Sequence, residues 1–424
     1  MLCMYTGYGI INATGDLWRA QRKAGLKFFS GANLDALVEH VLPEVYNDMT
    51  KKQLSQAAKD GTVVDLQQIF HDLTTTVVGH MAYDMEISAS SPFSRAFDHA
   101  SSHIGLRFQN PLYRLTEVFS GSDFRDSLAT VKQFGRQIVS NARRRRSRAA
   151  FESLITDDPI PEDAFGGTLI DSLIESLADP LVVADAALNF LSAGRDTTAQ
   201  SLTWTLYALL RHRTALEDLR AEVTTKIPDV VENDAEAVLD VASLQPTNLP
   251  LTLATFYEAL RLHPPVPFEI KQTATDKPPV TLPDGTYLPP GAVVVWCIHA
   301  FNRAREVFGD DSHLFRPRRW LDDDRSRSGH NFTPKSPFEF PVFNGGSRAC
   351  LGKKMAEVMA VWVLVRICTE WEFDEVLADG YAATSNGNVQ KEHVLLPDRV
   401  SANSLTLPME GGLPCRVRVR KQSS

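Results

Sequence analysis

The feature that most restricts this chain is the segment Phe343 to Gly352 (FNGGSRACLG), which runs directly into the amphipathic stretch KKMAEVMAVWVLVRIC. The apolar spacing of that stretch predicts a helix over 351–371. A cysteine at such a junction lies beside the positive end of the helix and several backbone N–H groups, which favour a thiolate and make the sulfur a candidate iron ligand. Gly346 and Gly352 let the loop pass close to a flat macrocycle. The plainer reading is a buried structural cysteine beside a glycine turn. Five specified positions, F-x-x-G-x-R-x-C-x-G, coincide by chance with a probability on the order of 10⁻⁴ in a chain of this length, which decides against it.

The rest of the chain is read around that segment. Apolar spacing predicts helices over 31–58, 63–84, 126–149, 180–212 and 249–262, the last stopped by Pro264 and Pro265. Residues 151–180, richer in acids, glycine and proline, read as a loop between helices. Turn signals around Val293 to Val295 predict a small sheet within 280–300, and 321–338 reads as a polar loop. A composition of 43% hydrophobic and 23% charged residues supports a large core, and a net charge of −8 argues against nucleic-acid binding. Cys3, Cys297, Cys350, Cys368 and Cys415 are odd in number and scattered, which points to a reducing compartment rather than a disulfide framework. The opening MLCMYTGYGI has neither a charged n-region nor an apolar h-region, and no apolar run of membrane-spanning length follows, so no anchor is expected.

The FNGGSRACLG segment resembles the heme-binding signature of the cytochrome P450 family, and that resemblance extends to motifs upstream. Glu258 and Arg261 form an E-x-x-R pair; alone it would be a surface contact worth a few tenths of a kcal/mol. The resemblance implies a buried pair completed by Arg319, with a structural role beneath the heme loop. Ala193 to Thr198 (AGRDTT) places glycine, an acid and two threonines inside a helix, where they disfavour helix. A polar helix face or a kink would explain that equally well. The resemblance implies that Gly194 opens a groove for oxygen over the iron, and that Asp196 and Thr197 supply the protons that break the O–O bond. Trp18 and Arg22, four residues apart on one helix face, are implied with Arg348 as the propionate-binding group. The resemblance implies that Phe343, Gly346 and Gly352 shape the loop and that Cys350 is the axial iron ligand.

The resemblance implies one mainly α domain with small β-sheets (α+β) over 1–424, with heme b held between the 180–212 helix and the Cys350 loop. It implies a monooxygenase inserting one oxygen atom of O2 into an apolar small molecule, with electrons from NADPH through a reductase. Arg22, Lys23, Lys27, Lys353 and Lys354 give the cysteine side a positive patch suited to an acidic reductase domain. The run Arg143 to Arg146 with Arg148 reads as a solvated helix end. His80, His263 and His299 lack ligand-like spacing. The stretch Pro264 to Lys271 with Leu282 to Thr286 resembles the fungal and plant fatty-acid and alkane hydroxylase branch; secondary metabolites and xenobiotics are the other substrate classes.

Full-length relatives are implied to sit on the cytosolic face of the endoplasmic reticulum membrane as monomers. Met1 falls only a few residues before the W-x-x-x-R helix. The resemblance therefore implies that about a fifth of a usual member, with its anchor, first helices and first strands, precedes that point. Loss of those strands is expected to expose sheet edges and apolar surface. Two rival outcomes stay open: an oxygen-independent isomerase or dehydratase on the same heme thiolate, and an inactive, heme-poor product.

Overall fold

A computed structural model describes residues 7–110, 112, 113, 115, 117, 121–156, 167–232, 239–322, 330–376 and 398–420. Helices dominate. The first, α1, covers Gly15–Phe28, and a helical run over 31–60, α2, follows it. Two π-helical stretches, Leu37–Val41 and Tyr46–Lys51, interrupt α2, and Gly61 in the left-handed region (φ +65°) ends it. The short strand β1, Val63–Asp65, then gives way to α3, Leu66–Val78, whose N-terminus is capped by the Asp65 carboxylate accepting from the Gln67 N–H. α4 (Pro92–Gln109) starts on a Ser91 cap with proline in its first turn, where no intrahelical donor is needed. α5 (Ser122–Thr156) and α6 (Leu169–Ser176) complete the first half.

The long α7, Pro180–Arg211, has 32 residues and so spans about 48 Å. It begins with an Asp179 cap and Pro180, and it is buried along most of its length. α8 (Arg213–Lys226) and α9 (Pro250–Leu262) pack beside it, and α10 (Lys353–Glu370) is buried continuously from Val358 to Thr369. A helix apolar on all faces belongs in the middle of a core. One connected apolar core runs from Ala24 to Val417 and draws on α1 through α10.

The strands are few and antiparallel. β2 (Phe268–Gln272) pairs with β5 (Val293–Cys297), with Ile270 opposite Val295, and β3 (Val280–Thr281) pairs with β4 (Tyr287–Leu288). β6 (Trp371–Glu375) and β1 flank the central β7 (Pro414–Val419). The β2–β5 pair is thinly covered: Phe268, Val293 and Val295 are each more than half exposed. Among the described residues, no helix is long and apolar enough to cross a membrane.

The mainly helical class with small sheets is as expected, and so are the helices at 180–211, 250–262 and 353–370. Three details correct the sequence reading. Residues 63–65 form a strand rather than a helix start, because β7 supplies a partner that local periodicity cannot reveal. The stretch 151–180 is not all loop: α5 persists to Thr156, and α6 forms where the Thr168 hydroxyl caps the Asp171 N–H. The β1–β7–β6 sheet joins segments far apart in sequence and was not anticipated. Of the 321–338 loop, 323–329 lies outside the described residues, and Leu321 bridges Phe332 across the remainder.

Candidate functional site

The Cys350 loop is closed by its own backbone. The Cys350 N–H donates to the Phe343 carbonyl at 2.8 Å and the Ala349 N–H to the Gly346 carbonyl at 3.2 Å. Gly346 sits at φ +60°, a conformation that disfavours side chains, and a Cβ there would meet nothing within 4 Å. Gly352 precedes α10, and its N–H and that of Lys353 bond the Cys350 sulfur; burial is the largest influence and raises the thiol's pKa, while those two bonds, then Arg22 and Lys353, pull it down. Cys350 is nevertheless exposed as a residue, so the sulfur is surrounded by protein yet reachable. Coordination to a metal deprotonates a thiol outright, overriding the effect of burial.

Trp18, Arg22 and Arg348 meet beside this loop. The two guanidinium carbons lie 5.6 Å and 4.6 Å from the Trp18 ring centroid, a cation–π arrangement on one indole. Arg22 donates to the Ala349 carbonyl at 3.0 Å, and Arg348 to the carbonyls of Ile10 (3.3 Å) and Ala13 (2.8 Å). Among the described residues, neither has a carboxylate partner. Burial first, and then the neighbouring Arg22 charge, lower the pKa of Arg348. Two cations held together without an anion suit a ligand that carries two carboxylates, as heme does. The residues present therefore fit that group.

α7 also approaches the loop. A Cβ on Gly25 of α1 would lie 2.9 Å from Leu351 and 3.1 Å from Phe190, so α1, α7 and the cysteine loop converge at that point. Midway along the otherwise buried α7, Ala193 is exposed and Gly194 and Thr197 are half-buried, which leaves an open stretch. The Thr197 hydroxyl donates to the Ala193 carbonyl at 2.6 Å. Gly194 has a packing reason as well: a Cβ there would stand 3.0 Å from Val78 of α3. Asp196 does not join Thr197. Its carboxylate turns into the protein, with Oδ1 3.4 Å from Arg195 Nε and 3.8 Å from His71 Nδ1, and burial raises its pKa against the pull of Arg195.

Glu258, Arg261 and Arg319 are brought together below the loop. Glu258 and Arg261 are fully buried. The carboxylate accepts from Arg261 (2.8 Å, twice), Arg319 Nε (2.8 Å), the Arg316 N–H (2.8 Å) and Trp320 Nε1 (2.9 Å). The remaining Arg261 donors go to the carbonyls of Asn302, Ser312 and Leu314. Tyr257, next to Glu258 in sequence, packs its ring 6.0 Å from that of Phe343 and so connects this cluster to the cysteine loop. His71, Arg195 and Asp98, which surround Asp196, were not singled out from the sequence; they come from three helices, and no local spacing joins them. His263 stacks on Trp204 at 4.0 Å, which is a packing role.

A family model described as "Cytochrome P450" matches residues 2–383. "Cytochrome P450 CYP94D108" of Paris polyphylla is 30% identical over 98% of this chain and 77% of its own length. "Cytochrome P450 94A1" of Vicia sativa is 26% identical over 98% of this chain and 75% of its own length. The fungal "Cytochrome P450 monooxygenase cyp1" of Mycosarcoma maydis is 28% identical over 98% of this chain and 63% of its own length.

Proposed function

Because the chain belongs to the cytochrome P450 family of heme-thiolate monooxygenases, we propose that it hydroxylates an apolar organic molecule at a site built by the Cys350 loop, α1 and α7. In this reading Cys350 would ligate the heme iron, and Arg22, Arg348 and Trp18 would hold its propionates. Phe343, Gly346 and Gly352 give the loop its shape. The observation that carries the reading is the pair of guanidiniums stacked on Trp18 beside the cysteine with no carboxylate to balance them among the described residues.

When bound, the heme supplies the activation of O2 by which one oxygen atom enters a C–H bond and the other leaves as water. The chain's own residues do the rest. Ala193 and Gly194 would leave room along α7 for oxygen and substrate, the Thr197 hydroxyl on the open face would pass a proton, and Asp196 behind it would store one. Glu258, Arg261 and Arg319 fix α9 beneath Phe343 and hold the loop in register. The two motifs that resemble the fatty-acid and alkane hydroxylase branch place a fatty acid ahead of secondary metabolites and xenobiotics as substrate.

Electrons would come from an NADPH-dependent reductase at the endoplasmic reticulum membrane, docking on the cysteine side. Lys23, Lys27, Lys353 and Lys354 are exposed there, and Leu26, 57% exposed, offers an apolar contact among them. Such a surface speeds association with an acidic partner and loses that advantage in salt. The test is a carbon monoxide difference spectrum of the reduced full chain, followed by turnover of a fatty acid with NADPH and reductase. A thiolate-type Soret band and a hydroxylated product are expected. Absence of the band overturns the reading, and turnover of a lipid hydroperoxide without NADPH would move the chain to the isomerase class.

A further inference from the structure

Helices α3 and α7 approach each other closely where Val78 fits against Gly194, and the Thr74 hydroxyl donates to the Arg195 carbonyl at 3.0 Å. That approach sets His71 of α3 beside Asp196 of α7. The atoms that face each other, His71 Nδ1 and Asp196 Oδ1, are 3.8 Å apart, and both are buried without a hydrogen-bond partner. Unpartnered buried polar atoms are uncommon and costly, so a facing pair calls for a reason. A shift of about 1 Å closes the gap to a hydrogen bond.

The surrounding charges keep the pair undecided. Arg195 lies 3.4 Å from the same Asp196 oxygen but bonds the Asp98 carboxylate of α4 at 2.8 Å, and Asp98 is half exposed. Asp196 therefore shares its cation. We infer that His71 is a positioning and proton-holding residue for Asp196, exchanging one proton between its Nδ1 and the buried carboxylate and linking that carboxylate to solvent. This rests on the monooxygenase reading, in which Asp196 is the proton store behind Thr197.

The exchange balances within the pair. A solvent proton binds one ring nitrogen, the Nδ1 proton passes to Asp196 Oδ1, and the imidazole is left neutral in its other tautomer. The side chain of His71 keeps 14% exposure, enough to meet water. Burial raises the acid and lowers the imidazole to about 4, with Arg195 the next influence on His71, opposed by Asp98 and Asp65. Burial thus moves the two groups in opposite directions, disfavouring the charged form of each. Asp72 is the other carboxylate on this side of α3 whose titration feels Arg195, and burial raises it.

The test uses the full chain and the variants His71→Phe and His71→Gln, each checked for a native circular dichroism spectrum. Infrared difference spectra across pH give the protonated carboxyl band of Asp196, assigned by its loss in Asp196→Asn. In His71→Phe the midpoint of that band is expected to rise by about one pH unit, because the ring nitrogen that can close on the carboxylate and donate to it is gone. With heme, NADPH and reductase, product formed per NADPH is expected to fall on the order of tenfold, with peroxide rising in its place. His71→Gln keeps a donor but cannot exchange a proton, so it should restore the midpoint and not the coupling. An unmoved midpoint in His71→Phe, or full coupling in His71→Gln, overturns the inference. Failure of the wild type to show a thiolate Soret band would sink the monooxygenase reading while leaving the infrared result to judge the pair.

Discussion

Two arginine clusters in this chain follow opposite rules. Beneath the cysteine loop, Arg261 and Arg319 converge on the single carboxylate of Glu258, and the donors of both guanidiniums have acceptors. Beside Cys350, Arg22 and Arg348 share one indole and, among the described residues, bond only backbone carbonyls. A buried charge network stabilises when every member is satisfied, so the first cluster spends its interactions on holding the chain together. Among the described residues the second keeps an unbalanced charge, which suits the heme of the proposed function. Under the proposed function, local rules are broken where the molecule would bind and react, and kept where it is merely held.

Three changes test that contrast, from the largest effect downward. Cys350→Ser should abolish the thiolate-type Soret band and all NADPH-driven product while leaving the fold, since a hydroxyl can still accept from the Gly352 and Lys353 N–H groups. A band that survives would mean another cysteine is the ligand. Glu258→Ala should destabilise the chain by about 3–5 kcal/mol in urea unfolding, because it strands Arg261 in a fully buried place. That loss should be as large without heme as with it. Arg348→Leu should do the reverse: heme-free stability changes by about 1 kcal/mol or less, whereas heme passes to an excess scavenger on the order of ten times faster. Equal effects of these two arginine-cluster substitutions on heme-free stability would erase the distinction.

Sequence made the open cluster easier to read than the closed one's surroundings. Trp18, Arg22, Arg348 and Cys350 each lie in a short motif, and the structure gathers the four at one place. The E-x-x-R pair was visible, but the Trp320 indole, the Arg316 N–H and the carbonyls of Asn302, Ser312 and Leu314 were not, since backbone groups carry no sequence signature. Asp196 was legible as an acid within α7, yet its direction was not. Adjacent helical residues point about 100° apart, so Thr197 faces the open stretch while Asp196 turns toward His71. β1 was missed for a related reason: its partner β7 lies some 350 residues away, and pairing of that kind leaves no local trace.

The smallest effect concerns how well the closed cluster excludes further charge. His263 ends α9 within reach of Arg303, His299 and Arg261, and its ring lies flat on Trp204 at 4.0 Å. Burial chiefly, and then those neighbouring basic groups, lower its pKa from 6.5 to about 3. The unfolded chain therefore binds a proton that the folded chain refuses between those values. Stability from this group is complete above its unfolded pKa and declines as pH falls toward the folded one, with a slope of up to about 1.4 kcal/mol per pH unit. His71, lowered to about 4, adds a second decline of the same sign. Urea unfolding of wild type and His263→Phe at several pH values from 7 to 5 separates the two, because phenylalanine keeps the stack on Trp204 and removes the titration. The variant should lose stability less steeply by the equivalent of up to one proton. Parallel curves would mean that a cation is tolerated at the end of α9, and that the cluster around Glu258 is less closed than its hydrogen bonds imply.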